Sequence, residues 1–452
     1  MLNHTEQEIR DACDAQLAQA RAGGPGASLE MLDDIQKKVT ECADLPLSRA
    51  QTLPASAYTS EAFYNWEVEH VFKAEWLAVG HISQIPEAGD FINLDLLGEP
   101  LIVIRDKSGD VRVMSRVCPH RGMDIMPPNF GYDGHNIAEK REAGGTGCGK
   151  ARLLLCPYHS WTFELDGSLM GCPEMRQAEG FERSDHKLHT YHSEIWNGFI
   201  FVNLDGEAPK SISEQYAEMD AHVKKWNLSE MKMISVKEWD CPFNWKELAE
   251  NFIESYHHAG AHLKTLQALM PARNTWTEEE KAHFIRCHLP WKPKAREQID
   301  ADIAAGGTGY VLPQVEGLEG EDRFEWGLYW GFPTFAFVVS PEMAVWYRLE
   351  PQGPNRLKIL TTLLAPQSTL EHPDYEKMRA AAEADAIKFH LEDVEVVTAV
   401  HRSMQSGAYK QGRLSHLEMP VWLIQRYLAA RIRGTWPTMD RPPAASQQPT
   451  GA

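Results

Sequence analysis

Two short stretches decide how this chain folds: RVCPHRGMDI at residues 116–125 and LLCPYHSWTFELDGSL at residues 154–169. Each stretch carries one cysteine and one histidine on a tight turn that contains a proline. The four potential ligands are Cys118, His120, Cys156 and His159. A strand-like run precedes each turn, VRVMSRV before the first and ARLLL before the second. The sequence therefore predicts two cysteine–histidine loops at the ends of β-strands.

This set of ligands suits two kinds of metal centre. Two cysteines and two histidines can bind a tetrahedral zinc ion. They can also hold a two-iron, two-sulfide cluster, with both cysteines on one iron and both histidines on the other. Zinc fingers usually keep like ligands together, whereas each loop here has one of each kind and a proline after its cysteine. The spacing favours a Rieske-type [2Fe-2S] cluster, and zinc remains the alternative.

The residues around these loops are rich in strand signals. From 76 to 205, short runs such as FINLDLLG, PLIVIRD and GFIFVNLD alternate with Gly, Pro, Asp and Asn. This texture predicts a small antiparallel β domain. Polar, glycine-rich residues at about 129–150 separate the two loops, and we expect them to form an inserted surface loop.

A second group of potential ligands lies in NWKELAENFIESYHHAGAH, residues 244–262. Its apolar spacing predicts a helix from about Trp245 that brings four polar side chains near one face. These are Glu250, Glu254, His257 and His258. His257 and His262 are separated by about 140° of rotation on a regular helix, so they reach one metal only if the helix bends or ends. Residues 259–260, Ala-Gly, are the expected place for that break.

Two histidines and one carboxylate form the facial triad of non-haem ferrous oxygenases, which leaves open positions for O2. The alternative interpretation is a surface helix with clustered polar residues. Neither interpretation is decided by this segment alone.

The quoted segments resemble the Rieske loops of the large (alpha) subunits of Rieske non-haem iron oxygenases. Residues 244–262 are similar to the E-N-F-x-(E/D)-x-Y-H-x4-H motif of the same family. The resemblance implies that His257 and His262 are iron ligands. It also implies that Glu254 bridges the mononuclear iron site to a Rieske histidine of the adjacent subunit. Many aromatic-ring dioxygenases have Asp at this position, and members acting on quaternary ammonium compounds often have Glu.

The third iron ligand in this family is an aspartate on a late helix. The segment LEDVEVVTAVHRSMQ, residues 391–405, matches that pattern with Glu392-Asp393 followed by Gln405. The resemblance therefore assigns the third ligand to Asp393. Glu392 and Glu395 are the competing candidates, and a solvated helix face is the alternative.

The resemblance implies an α+β fold, with a β-rich Rieske [2Fe-2S] domain and a helix-grip-like catalytic domain whose antiparallel sheet is covered by helices. The sequence predicts strands within 323–348 and 356–364, and helices at 374–405 and 420–434. The expected divisions are a helical N-terminal extension at 1–45, a lead-in at 46–75 that packs on the catalytic domain, the Rieske domain at 76–205, the catalytic mononuclear iron domain at 206–440, and a disordered tail at 441–452.

The implied activity is that of a terminal oxygenase, which uses O2 and electrons from NAD(P)H to hydroxylate, dihydroxylate or oxidatively demethylate a small organic substrate. An aromatic substrate is the first expectation, and a quaternary ammonium or N-methyl substrate is the alternative. The implied cofactors are one [2Fe-2S] Rieske cluster and one mononuclear Fe(II). The implied partners are a separate reductase, with or without a ferredoxin, and further copies of the chain in a head-to-tail trimer, with or without a small beta subunit. A Rieske electron carrier without oxygenase activity is the alternative from another class.

Composition limits the partners. The 452 residues include 45 Lys and Arg against 64 Asp and Glu, so the formal net charge is −19. This balance argues against nucleic acid and anionic membranes, which both favour a basic surface. No apolar run approaches about 18 residues, the polar start is unlike a secretory signal, and eight cysteines are too sparse for a disulfide scaffold. A cytoplasmic chain is the expectation.

Metal analysis distinguishes the three interpretations of the ligand sets: an oxygenase, a Rieske electron carrier and a structural zinc protein. An oxygenase is expected to contain about three irons and two acid-labile sulfides per chain, and a Rieske carrier about two irons. A structural zinc site would give zinc without sulfide. Elemental analysis of the purified protein together with a sulfide assay measures all three, and zinc alone would rule out the cluster.

Overall fold

The computed structural model describes residues 31–126, 138–140, 147–206 and 210–436. These residues divide into two compact units. One unit spans Lys73–Gln215, and the other joins the segment up to Phe72 to the residues from Tyr216 onward. Within these ranges, no helix has both the length and the apolar character needed to cross a bilayer. The predictions for residues 1–30 and for the tail at 441–452 lie outside the described residues.

The described N-terminal segment is helical. Its helices are α1 (Leu32–Ala43), α2 (Ser56–Thr59) and α3 (Glu61–Glu67), and α3 leads into a π-helical turn at Val68–Phe72. α1 buries Ile35, Val39 and Cys42 at the spacing of an amphipathic helix. This side packs on the last described helix, Met419–Arg433, where Trp422 donates its indole N–H to the carbonyl of Leu45 at 2.9 Å. The segment is thereby part of the unit that begins again at residue 216.

The unit at 73–215 is built mainly from short antiparallel strands. They are β1 (Leu77–His81), β2 (Asp90–Leu96), β3 (Glu99–Arg105), β4 (Val111–Ser115), β5 (Ala138–Lys140), β6 (Cys148–Ala151), β7 (Leu154–Leu155), β8 (Thr162–Phe163), β9 (Leu169–Gly171), β10 (His192–Trp196) and β11 (Phe199–Asn203). They form a five-stranded sheet, β4-β3-β2-β6-β5, and two three-stranded sheets, β1-β11-β10 and β7-β8-β9. Leu97 and Gly98 both have positive φ, as a two-residue type I′ turn between β2 and β3 requires.

The expectation that residues 129–150 form only a surface loop is wrong for two described pieces. β5 and β6 join the five-stranded sheet, and β6 pairs with β2 so that Lys150 lies opposite Asp90. Cys148 is buried there. Gly147 has φ +85° and lies so close to the carbonyl of Asn93 that a side chain would collide with it. Strand formation here depends on pairing with β2, and the glycine-rich composition gives no sign of that partner.

The second unit contains one large antiparallel sheet. Its strands are β12 (Lys232–Cys241), β13 (Trp276–Thr277), β14 (Phe284–Pro290), β15 (Glu325–Gly331), β16 (Phe335–Val339), β17 (Ala344–Pro351) and β18 (Leu357–Ala365). Their order is β12-β18-β17-β16-β15-β14-β13. Every residue of the central strand β16 is buried, as expected for a strand with both faces covered. The predicted strands at 323–348 and 356–364 are confirmed as β15 to β18.

Helices cover this sheet. α4 (Ile212–Gln215) belongs to the unit at 73–215, where it contacts β10. The helices of the second unit from residue 217 onward are α5 (Ala217–Val223), α6 (Trp245–Ile253), α7 (Leu266–Leu269), α8 (Pro293–Ala304), α9 (Gln367–Leu370), α10 (Tyr375–Met404) and α11 (Met419–Arg433). Short 3₁₀ turns occur at Leu47–Arg49, Ile82–Gln84, Met175–Gln177, Arg183–Asp185, Lys224–Trp226, Leu228–Glu230, Tyr256–Ala259, Ala272–Asn274, Gly320–Arg323 and His416–Glu418. The helix α6 contacts β14 and β15, and it also contacts α10 and α11. The two predicted late helices are confirmed as α10 and α11, and so is the α+β fold class.

A fully buried ion pair fixes α6 to the N-terminal segment. The Lys246 ammonium lies 2.7 and 2.9 Å from the two carboxylate oxygens of Glu67, and both side chains are completely buried. Burial raises the pKa of Glu67 and lowers the pKa of Lys246, so each group depends on the other to stay charged. The rings of Tyr58, Phe63 and Trp245 surround the ammonium at 5.2 to 5.8 Å.

Removing one partner of this pair should destabilise the protein strongly. Lys246→Met leaves the Glu67 carboxylate buried without its cation, and we expect a loss of about 3–5 kcal/mol in the free energy of unfolding. Urea titration followed by circular dichroism measures this loss. The double variant Glu67→Leu/Lys246→Met should recover most of it, and Lys37→Met, in an exposed pair with Glu41, should change little. Equal losses in the single and double variants would show that the unpaired charge is not the cause.

Candidate metal centres and active site

The start of α6 is fixed by Asn244. Its side-chain oxygen accepts the backbone N–H of Lys246 at 3.0 Å, and the Glu247 carboxylate accepts the backbone N–H of Asn244 at 2.9 Å. This reciprocal arrangement is a capping box. The Asn244 amide also donates to the carbonyls of Tyr58 at 2.8 Å and Pro354 at 3.0 Å. The helix is therefore anchored to the N-terminal segment and to the turn between β17 and β18.

The prediction that α6 runs on to about residue 259 is wrong, because the helix ends at Ile253. Glu254 is extended, with φ −112° and ψ 160°. One of its carboxylate oxygens accepts the backbone N–H groups of Tyr256 and His257. Such local side-chain to backbone bonds compete with helical hydrogen bonding, which accounts for the early end. A separate 3₁₀ turn then carries His257 away from the axis of α6.

His257, His262 and Asp393 meet at one point. One ligand atom from each side chain lies within 4.8 Å of the other two. The Nε2 atom of His262 is 2.9 Å from Oδ1 of Asp393, and Nε2 of His257 is 3.4 Å from the same oxygen. Asp393 comes from α10, whereas both histidines follow α6. Two imidazoles and one carboxylate are the donor set of a facial triad, so these side chains can hold a ferrous ion.

Each imidazole of the triad is held from behind by a further carboxylate. Nδ1 of His257 lies 2.8 Å from Oε1 of Glu254, and Nδ1 of His262 lies 2.6 Å from Oε2 of Glu392. The Thr265 hydroxyl donates to that same Glu392 oxygen at 2.7 Å. Because each Nδ1–H donates to a carboxylate, the Nε2 lone pair of a neutral ring points toward Asp393. This is the tautomer that a metal ligand requires.

The carboxylates favour positive charge at the point where the ligand atoms converge. Burial works to lower the pKa of His257, but hydrogen bonds to Asp393 and Glu254 outweigh it and raise that pKa to about 10. Burial likewise works to raise the pKa of Asp393, yet the two imidazoles hold it well below its usual range. A divalent cation would supply the positive charge that these groups require.

His258 differs from its neighbours. Burial, together with repulsion from His257 and His262, lowers its pKa to about 3, so the ring is neutral. Its Nδ1 atom lies 3.4 Å from the carbonyl of Met270. The imidazole lines the cavity beside the triad without belonging to the group of three converging ligands.

A cavity of about 170 Å³ opens next to the triad. Aromatic side chains form much of its wall: Phe252, Trp291, Trp326, Tyr347 and Phe389. Aliphatic side chains supply most of the remainder. Besides Asp393 of the triad, two carboxylates, Glu342 and Asp385, line the cavity. In the described part of the chain, no lysine or arginine lines it.

The two cysteine loops of the unit at 73–215 share one pattern of backbone hydrogen bonds. The backbone N–H of Cys118 donates to the carbonyl of Met123, five residues later, at 2.8 Å. The carbonyl of Cys118 accepts the backbone N–H of Gly122, four residues later, at 2.9 Å. Cys156 repeats both bonds at 2.7 and 3.0 Å. The fourth residue after each cysteine is left-handed, with φ +72° at Gly122 and +60° at Ser160. The two loops therefore share one backbone arrangement, although their cysteine-to-histidine spacings differ.

The four ligand candidates of these loops fit a Rieske cluster. Both thiols are buried in the core of the unit and lie within hydrogen-bonding reach of each other. The rings of His120 and His159 are 4.7 Å apart between centroids, and the Nδ1 atom of each is buried without a hydrogen-bond partner. Buried ring nitrogens rarely lack a partner, and a metal would satisfy both. Burial raises the pKa of Cys118 to about 11, so metal binding would have to displace its proton.

These two donor sets define a class of protein, an iron protein with a Rieske-type centre and a facial-triad centre. Comparisons with known families agree: residues 75–191 match the Rieske [2Fe-2S] domain, and residues 221–434 match the ring hydroxylating alpha subunit (catalytic domain). The carnitine monooxygenase oxygenase subunit of Escherichia coli (strain K12) is 30% identical over 375 residues, which cover 81% of this chain and 87% of that protein.

Two further comparisons cover a similar share of the chain. The chloroplastic choline monooxygenase of Arabidopsis thaliana is 26% identical over 407 residues, which cover 86% of this chain and 85% of that protein. The structure of the quaternary ammonium Rieske monooxygenase CntA with the substrate gamma-butyrobetaine matches with a TM-score of 0.68 and 23% identity. That match covers 87% of this chain and 98% of CntA.

The chain belongs to the family of Rieske oxygenase alpha subunits. Its cofactors are one Rieske [2Fe-2S] cluster and one mononuclear iron, and it is an oxidoreductase that incorporates oxygen from O2. Members of this family work with a reductase. The expectations for family, fold, cofactors and enzyme class are confirmed, and the electron-carrier alternative is not supported.

Two side chains that support the triad, Glu392 and Thr265, are not assigned this role from the sequence. Glu392 was considered only as a competing iron ligand, but its carboxylate faces the far side of His262. Thr265, which hydrogen-bonds to Glu392, was not singled out at all. The adjacent Glu392-Asp393 pair was the available signal, because a carboxylate next to a ligand on one helix can reach a neighbouring imidazole.

Truncation of Glu392 should weaken iron binding at the triad. Glu392→Ala frees Nδ1 of His262, so we expect the affinity for Fe(II) to fall about 10–100-fold. Chelator competition measures this affinity, with the visible absorption of the Rieske cluster as the internal reference. Glu376→Ala is the matched control, since that carboxylate lies on the same helix and pairs with Arg379 at the surface. An unchanged affinity in Glu392→Ala would contradict the role assigned to this carboxylate.

Proposed function

We propose that this chain is the oxygenase component of a monooxygenase that acts on a quaternary ammonium or N-methylated ammonium compound. In this proposal His257, His262 and Asp393 hold the mononuclear iron. The Rieske cluster is held by Cys118, His120, Cys156 and His159. The relatives reported above are named for carnitine and choline, which favours this alternative over the aromatic substrate that was expected first.

The observation that carries the proposal is the composition of the cavity wall. Aromatic faces attract ammonium groups through cation–π interactions, and quaternary ammonium ligands are commonly bound in aromatic cages. In this cavity five aromatic side chains accompany two carboxylates outside the triad, and no lysine or arginine lines it among the described residues. Trp326 and Phe389 meet edge to face at 6.2 Å, and so do Phe252 and Tyr347 at 5.2 Å. An aromatic hydrocarbon would also contact these rings, but it would leave the Glu342 carboxylate without a partner of opposite charge.

The protein side chains orient the reactants. The aromatic wall holds the ammonium group beside the triad and excludes water from the carbon to be oxidised. Glu254 and Glu392 keep both imidazoles in the ligating tautomer. The bound iron supplies the O2 chemistry, and the cluster supplies electrons one at a time. Overall, one oxygen atom of O2 is inserted into a C–H bond of a carbon attached to nitrogen. The other oxygen atom leaves as water, and the reaction takes up two electrons and two protons.

Electron supply requires other components in this proposal. The electrons come from NAD(P)H through the reductase, with or without a ferredoxin. A head-to-tail trimer brings the cluster of one subunit to the iron of the next, and Glu254 links the two sites. The support for Glu254 is its position: its carboxylate is hydrogen-bonded to Nδ1 of His257 and lies close to the partly exposed Tyr256. The net charge of −19 suits a basic electron donor.

A substrate panel tests the proposed function. With a surrogate reductase, we expect NADH oxidation coupled to aldehyde release for N-methylated ammonium compounds, because a hydroxylated carbon on nitrogen breaks down to an aldehyde and an amine. Formaldehyde indicates demethylation. Diol formation from aromatic hydrocarbons, without turnover of any ammonium compound, would contradict the proposal.

The same assay tests the triad. His257→Ala removes one imidazole ligand, so we expect loss of O2-dependent turnover while the Rieske absorption is retained. Retained absorption shows that the variant is folded and that its cluster is intact. Full activity in this variant would overturn the assignment of the iron site.

A further inference from the structure

The carboxylate of Glu342 is held rigidly in the cavity wall. The residue lies in the tight turn between β16 and β17, where Ser340 and Met343 hydrogen-bond to each other. Its Oε2 atom accepts the backbone N–H of Leu312 at 2.6 Å, and the backbone N–H of Val311 also bonds to the carboxylate. Glu342 is 6% exposed. A substrate group in the cavity therefore meets a negative group that cannot swing away.

A second carboxylate that lines the cavity, Asp385, lies on α10. Asp385 is exposed, so it stands where the cavity meets solvent. Its negative charge acts on Glu342. Burial, reinforced by Asp385, raises the pKa of Glu342 to about 7. The wall that faces these two acids contributes aromatic and aliphatic side chains, with no described lysine or arginine to receive an anion.

We propose that Glu342 and Asp385 form an acidic subsite that restricts the substrate to ammonium compounds without a carboxylate. This inference rests on the proposed function and narrows it. A zwitterion such as a betaine would place its own carboxylate in a cavity that holds two acids beside the iron site and has no lysine or arginine among its described lining residues. A cation whose remaining part is a hydroxyl or another hydrogen-bond donor can instead donate to Glu342. Amino alcohols of the choline type meet both conditions.

The subsite has a consequence for pH dependence. A bound cation favours the ionised form of Glu342, so its binding releases a proton wherever that carboxyl is partly protonated. Affinity for the cation should therefore rise with pH and level off above the pKa of Glu342, near 7.

The experiment uses the iron-loaded protein and three probes of nearly equal shape. Choline is the cation, glycine betaine is the zwitterion, and 3,3-dimethylbutan-1-ol is the neutral analogue of choline. Calorimetry at pH 6, 7 and 8 in two buffers of different ionisation enthalpy gives each Kd and the protons released. We expect choline to bind at least about tenfold more tightly than the other two, since one buried charge interaction lost is worth a factor of ten or more.

Two variants assign that selectivity to the acidic subsite. Glu342→Gln keeps an oxygen for the Leu312 N–H but removes the charge, so we expect choline affinity to fall about tenfold and its pH dependence to vanish. Asp385→Asn, at an exposed position, should lower choline affinity about twofold to threefold. Glu376→Gln on the same helix is the control and should bind all three probes as the unaltered protein does.

The outcomes separate this inference from the proposed function. If glycine betaine binds as tightly as choline, or if Glu342→Gln leaves their ratio unchanged, the acidic subsite is wrong while an ammonium oxygenase stands. If neither ammonium compound binds and aromatic hydrocarbons are oxidised, the proposed function fails and the subsite fails with it.

Discussion

Two hydrogen bonds to the far sides of His257 and His262 are the constraint on which the rest of the catalytic unit depends. Glu254 and Glu392 each fix the orientation and tautomer of one imidazole, and Asp393 supplies the point where both rings converge. Carboxylates at this depth are costly unless positive charge accompanies them. The site therefore needs a bound cation to balance its carboxylates. The elements that carry these side chains must also hold fixed positions. The capped start of α6 and the 30-residue helix α10 provide that rigidity.

The sequence predicted those parts of the molecule whose signals are local. The strands β15 to β18 are rich in apolar and aromatic residues, and α10 is a long stretch without glycine or proline. The cysteine loops carry their ligands within four residues of each other. The end of α6 was misplaced because a single side chain, Glu254, captures backbone N–H groups that helical periodicity assigns elsewhere. The strand β6 was missed because its pairing partner β2 lies more than fifty residues earlier. The lining of the cavity was not predictable from the sequence, because its wall combines residues of α6, α10 and five stretches between them.

In the proposed function, substrate choice depends on charge as much as on shape. Rings alone would accept a flat hydrocarbon or an ammonium group, because both are attracted to aromatic faces. The two carboxylates break that tie. They also set a limit in the other direction, since a cavity that stabilises a cation with acids must exclude other anions from the same space. The proposed recognition depends on electrostatics as the iron site does, where Asp393 and the carboxylates behind the two imidazoles favour a positive occupant.

The matched closure of the two cysteine loops has a consequence for how such loops are recognised. The backbone bonds of each loop involve the cysteine and the positions four and five residues later, and they leave the histidine position free. One loop places its histidine two residues after the cysteine and the other places it three residues after. A search pattern that fixes the cysteine-to-histidine distance therefore encodes the variable part of the motif. A pattern that fixes the left-handed fourth position, Gly122 or Ser160, encodes the part that the chain geometry requires.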